Sequence, residues 1–70
     1  MDEYTIRHRF GFKRELSMEA HSMNDCAEKF AEILGLVLIV RKAVTDDSGV
    51  QYLDVKMGDG REIIIFKRGD

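Results

Sequence analysis

The sequence predicts an α+β fold in which one helix packs across one face of a four- or five-stranded antiparallel sheet, in the order β-β-α-β-β-β. Three observations support this. The N-terminal part alternates apolar and polar residues, a central segment repeats apolar residues with the helical period, and β-branched segments then follow, separated by loops rich in Asp and Gly. We expect a single domain, 1–70. A chain this short hides only about 60% of its unfolded surface, which leaves little core for an active-site cavity.

The first strand is predicted for residues 4–12, which alternate with a period of two. One side of this strand carries Tyr4, Ile6, His8, Phe10 and Phe12. A second alternation, in residues 15–20 (ELSMEA), is either the hairpin partner of this strand or its continuation through a β-bulge at Gly11. We favour the hairpin.

Residues 22–35 (SMNDCAEKFAEILG) carry the signals of one helix. Ser22 followed by Asp25 has the form of an N-terminal capping box, and we expect Gly35 to end the helix in the left-handed conformation. The spacing of the apolar residues predicts one buried face, made of Met23, Cys26, Ala27, Phe30, Ala31 and Leu34.

Three further strands are predicted in the C-terminal half, beginning with residues 36–44 (LVLIVRKAV). The segments VQYLDVKM and REIIIFK then flank the turn GDG, and two registers are open. A three-residue loop with Gly60 left-handed sets Lys56 opposite Glu62 and Tyr52 opposite Phe66, whereas a two-residue Asp-Gly turn sets Lys56 beside Ile63. We expect the first register.

The segments LVLIV and IIIF are apolar at consecutive positions, so they present apolar side chains on both faces of the sheet. One helix covers only one face. Either a strand curls over the second face, or that face meets another protein chain, as contiguous apolar patches usually do. We expect association, with a second copy or with another protein.

The segment RHRFGFKR, residues 7–14, holds four cationic side chains in a chain of net charge −2. Its Phe-Gly-Phe core resembles the RNA-binding strand of RRM and cold-shock domains. In a strand, however, the two aromatic rings point to the face opposite Arg7 and Arg9, so rings and cations cannot contact one nucleic-acid strand together. We favour a sheet strand with a solvated outer stripe. Nucleic acid and an acidic protein surface are the alternative partners.

Catalysis and metal binding find no support in the sequence, and we expect neither an enzyme, a cofactor nor a small-molecule substrate. Cys26 lies on the apolar stripe of the helix, where a buried, inert thiol is expected, and the two histidines lack further metal ligands. The longest apolar run is too short to span a membrane and the N-terminus shows no apolar signal core, so a cytoplasmic protein is expected.

The segment ELSMEAHSMNDCAEKFAEILG, followed by two or three strands, resembles a plan of small proteins encoded by phages and mobile elements. In that plan a strand ending near an alanine leads through a serine cap into one helix, and a short meander follows. Some small anti-CRISPR proteins are similar in size, strand order and non-enzymatic character. The resemblance covers most of the chain and implies a stoichiometric inhibitor that occupies a functional surface of a host complex.

The predicted function is therefore that of a non-enzymatic protein-binding module, a stoichiometric inhibitor or accessory subunit that acts through an exposed sheet face. The alternative is a nucleic-acid-binding module that uses residues 7–14 together with Arg41, Lys42, Lys67 and Arg68. The candidate contact residues combine outward cations with two aromatic anchors: Arg7, Arg9, Lys13, Arg14, Arg41, Tyr52 and Phe66.

Overall fold

A computed structural model of the chain describes residues 1–8 and 15–67. Its elements are β1 (Asp2–His8), β2 (Glu15–Ala20), α1 (Met23–Leu34), β3 (Leu38–Thr45), β4 (Gln51–Met57) and β5 (Glu62–Lys67). The strands form one five-stranded sheet in the order β2-β1-β5-β4-β3, and all neighbours are antiparallel. The α+β prediction with one helix is confirmed.

Strands β1 and β2 pair antiparallel, from Asp2 opposite Ala20 to Arg7 opposite Glu15, which confirms the hairpin interpretation. The predicted end of the first strand, with Phe10 and Phe12, lies outside the described residues. Strand β5 then returns to pair with β1 and occupies the centre of the sheet. Its inward-pointing Ile63 and Ile65 are fully buried, because a central strand has neighbouring strands on both sides.

The helix begins and ends as the sequence predicts. The backbone N–H of Asp25 donates to Ser22 Oγ (3.0 Å), the His21 N–H donates to the Asp25 carboxylate (2.9 Å), and Gly35 has φ 68°. The predicted buried face is correct for Cys26, Ala27, Phe30 and Ala31, but Met23 is only half-buried and Leu34 is 38% exposed. Leu34 stays outside because the chain reverses at Gly35, and Leu36 packs against the core instead.

The register of β4 and β5 is the one predicted for a three-residue loop, with Tyr52 opposite Phe66 and Lys56 opposite Glu62. Gly60 has φ 88°. Strand β3 begins two residues later than expected, at Leu38, and has a bulge between Leu38 and Val40. Val37, predicted to be in the strand, instead accepts a hydrogen bond from the Gly58 N–H through its carbonyl oxygen (2.8 Å).

The core lies between α1 and one face of the sheet. Its residues are buried and share this single layer: Tyr4, Ile6, Ala20, Cys26, Ala27, Phe30, Ala31, Leu53, Val55, Met57, Ile63 and Ile65. In β1, β4 and β5 these residues alternate with side chains that point to the opposite side. The architecture therefore leaves one sheet face without a covering element among the described residues.

Candidate protein-binding face

We call the side of the sheet that faces away from α1 the open face. By the alternation of the paired strands it carries Glu3, Thr5, Arg7, Glu15, Ser17, Glu19, Val40, Lys42, Val44, Tyr52, Asp54, Lys56, Glu62, Ile64 and Phe66. Five of these side chains are acidic and three are basic, so in the described strands the open face has a net charge of −2. The uncharged residues at its centre, Tyr52, Ile64 and Phe66, come from β4 and β5.

A shallow hollow of about 390 Å³ lies at this centre. Tyr52 and Phe66 stand opposite each other on β4 and β5, and Ile64 follows on the same side of β5. All three side chains are half-buried, although no other element of the described chain lies over them. Aromatic side chains in a hollow of this kind are the usual anchors of protein interfaces.

Arg7 borders the hollow on the β1 side. Its guanidinium lies 5.3 Å from the centre of the Phe66 ring, a cation–π contact. It also donates from Nε to the Glu15 carboxylate (2.8 Å) and from Nη2 to the same oxygen. Two contacts therefore fix the direction of the guanidinium, which reduces the side-chain entropy that Arg7 would lose in a complex.

Asp46 and Val50, from the loop between β3 and β4, border the hollow on the other side. The Asp46 carboxylate accepts from the Ser48 hydroxyl (2.7 Å) and from the N–H groups of Ser48 and Val50, both at 2.9 Å. These bonds, the Ser48 hydroxyl first, lower the pKa of Asp46 below its ordinary value. A fixed cation and a fixed anion thus flank an aromatic centre.

The structure brings three of the predicted contact residues together: Arg7, Tyr52 and Phe66 all line the hollow. Arg41 lies elsewhere. It points to the helix side of the sheet and pairs with Glu28 of α1 (3.1 Å), because its partner on β4 is the inward-pointing Val55. The remaining predicted contacts, Arg9, Lys13 and Arg14, lie outside the described residues.

Sequence reasoning did not select Ile64, Val50 and Asp46 as contact residues. The signal for Ile64 was present, because successive side chains of a strand point to opposite faces. Of three consecutive isoleucines, the middle one therefore lies on the face opposite the other two. Asp46 and Val50 carry no such signal, because their position depends on how the β3–β4 loop folds back toward β5. The conformation of this loop follows from the hydrogen bonds of Asp46 and could not be predicted from the sequence.

Cys26 is fully buried in the core, which lies on the helix side of the sheet. Burial, followed by the negative charge of Asp25, raises the pKa of its thiol to about 11. Among residues 1–8 and 15–67 no three His, Cys, Asp or Glu side chains are grouped as metal ligands. The described helix is too short and too polar to cross a membrane.

Comparison with known proteins adds no assignment: no protein-family model, no curated protein and no solved structure matches this chain.

Proposed function

We propose that this protein is a non-enzymatic protein-binding module, a stoichiometric inhibitor or accessory subunit, and that the open face is its contact surface. The observation that carries the proposal is the hollow at the centre of that face, where Tyr52, Ile64 and Phe66 stand together without a covering element in the described chain. Interfaces are typically built in this way, with aromatic and apolar anchors at the centre and charged residues at the rim.

The size of the protein supports the same proposal. The described residues bury one single-layer core, and the hollow on the open face is wide and shallow rather than an enclosed cleft. The ionisable residues that border it are Arg7, Asp46 and Tyr52; the Asp46 carboxylate is held by hydrogen bonds from its own loop, and Arg7 is paired with Glu15. Recognition of a surface is the activity that suits this arrangement.

The test is affinity capture with matched variants. Ile64→Lys places a charge at the centre of the open face, whereas Ile33→Lys makes the same change on the outer face of α1, where Ile33 is 70% exposed. We expect a partner that is retained by the wild type and by Ile33→Lys to be lost by Ile64→Lys, and calorimetry with the purified partner to give an equimolar complex. Equal capture by both variants would remove the open face from the proposal.

Nucleic acid is the second candidate partner. One observation favours it: Arg7 lies on the same face as Tyr52 and Phe66, and aromatic rings on neighbouring strands next to a cation can stack nucleic-acid bases. The net charge of −2 on the described part of this face opposes a polyanion. Binding would weaken as the salt concentration rises, because each phosphate contact releases counterions, and it would depend on Arg7 and Phe66 together. A fluorescence titration with short single-stranded RNA and DNA at two salt concentrations measures both.

A further inference from the structure

The charges of the central row of the open face follow an order that is its own complement. One row of side chains crosses all five strands through paired positions, and it reads Lys42, Asp54, Ile64, Arg7, Glu15 from β3 to β2. The signs along this row are positive, negative, neutral, positive, negative. Reading the row from the other end exchanges every sign, and the apolar Ile64 of the central strand stays in the middle.

From this order we propose that the open face binds the open face of a second copy of the chain, about a two-fold axis that runs along β5. The inference rests on the proposed function and names the partner. Such an axis sets β1 over β4 of the second copy and β2 over β3, while β5 lies over β5. Arg7 then faces Asp54 of the second copy, Lys42 faces its Glu15, and the two Ile64 side chains meet.

The neighbouring row supports the same axis. It reads Val44, Tyr52, Phe66, Thr5, Ser17 and contains no charge. The two-fold axis brings the Phe66 rings together and places Tyr52 over Thr5, so this row forms the apolar centre of the interface. At one end of β5, Glu62 faces its own counterpart, and Lys56, directly opposite Glu62 on β4, supplies a compensating charge in each copy.

Sheet geometry allows these pairs. Two sheets that pack face to face cross at about −30°, so the two-fold axis is inclined to β5 by half of this angle. Strands one step from the axis are then displaced by about 2.5–3 Å, less than the rise of one residue. The Arg7–Asp54 pair is therefore within reach, while Lys42 and Glu15 at the edges meet through their long side chains. The proposed pairs between the two copies do not require unpaired groups in the single chain. Arg7 can keep its hydrogen bonds to Glu15 and form a further contact with Asp54 of the second copy.

The area of the face fits a weak dimer. Five strands of six to eight residues make a face of about 500 Å² per copy, or about 1,000 Å² in total, which is near the lower limit for a specific interface. We therefore expect a dissociation constant in the micromolar range or above, and an equilibrium from which another protein can displace the second copy.

The test is a charge exchange followed by sedimentation equilibrium. Arg7→Glu and Asp54→Arg should each weaken self-association by at least about tenfold, because each sets like charges opposite each other twice in the dimer. In an equimolar mixture of the two variants both pairs carry opposite charges again, so a mixed dimer should form. Arg41→Glu, the matched control, reverses a strand cation on the helix side and should leave association unchanged.

The outcomes separate this inference from the proposed function. A mixed dimer formed by two variants that are each monomeric supports the two-fold axis, because misfolded variants would not recover association on mixing. Circular dichroism of each variant checks separately that it is folded. A mixture that stays monomeric, or equal weakening by Arg41→Glu, overturns the axis. Should a variant fail to fold, Ile64→Lys provides the disruption at the apolar centre. A wild type that is monomeric at millimolar concentration overturns self-association, while the capture of another protein through the open face remains a separate result.

Discussion

At the scale of single residues, polar groups in this protein have local tasks. Asp25 and Asp46 each organise a backbone turn: the carboxylate of Asp25 accepts from the His21 N–H next to the helix cap, and that of Asp46 holds the β3–β4 loop. Cys26, by contrast, serves as a small apolar core residue, because burial keeps its thiol protonated. Each of these assignments predicts a measurable property.

The thiol of Cys26 should react with Ellman's reagent at pH 8 far more slowly in the native protein than in urea, because a buried thiol with a pKa of about 11 is neither accessible nor ionised. The measurement compares the two reaction rates. A native rate close to that of a free thiol would show that the helix detaches from the sheet in solution.

The depressed pKa values of Asp25 and Asp46 make the stability of the fold sensitive to acid. A carboxylate with a lowered folded-state pKa stabilises the fold above its unfolded pKa, about 3.9, and this contribution is lost as the pH falls through the folded pKa. Urea midpoints should therefore fall below about pH 4. Asp46→Asn should flatten this decline, and a variant that follows the wild-type curve would contradict the role of Asp46.

At the scale of elements, the helix and the β4–β5 hairpin were predictable because each is specified by neighbours in the sequence. Ser22 and Gly35 mark the helix ends, and Gly60 selects the loop that sets Tyr52 opposite Phe66. The strand order and the later start of β3 were not predictable, because both depend on contacts between distant segments. Gly58 and Val37, which meet at the start of β3, are 21 positions apart.

The helix cap should contribute measurably to stability. Ser22→Ala removes the acceptor for the Asp25 N–H and should lower the free energy of unfolding by about 1 kcal/mol. Ser17→Ala, on the exposed side of an edge strand, is the control and should change little. Urea denaturation followed by circular dichroism measures both, and equal midpoints for the two variants would contradict the capping role.

The two glycines of the GDG turn should differ in tolerance. Gly60→Ala forces a side chain into φ 88° and should cost about 1 kcal/mol or more. Gly58→Ala is the matched control: it has no positive φ, and its added methyl would meet the Val37 carbonyl oxygen at 3.5 Å, an ordinary contact. Thermal unfolding should therefore rank Gly58→Ala above Gly60→Ala in stability, and the opposite order would contradict the turn geometry.

At the scale of the whole molecule, one helix for five strands explains why a contact surface exists. The helix covers one side of the sheet, and the same alternation that fills this core places Ile64, Phe66 and Tyr52 on the other side. The sequence pattern predicted apolar side chains on both faces of the sheet, but it did not show that charged side chains surround them on the open face. The self-complementary order of charges became visible only with the strand order, since Lys42 and Glu15 lie on opposite edges.

The most direct measurement of the central claim, that the open face binds the open face of a second copy, is methyl NMR of the isoleucine-labelled protein, diluted from millimolar to micromolar concentration. Ile64 reports on the open face and Ile33 on the outer helix face, while the core residues Ile6, Ile63 and Ile65 are internal controls. We predict concentration-dependent shifts at Ile64 with Ile33 unchanged. A constant Ile64 signal, with or without shifts at Ile33, would contradict the claim.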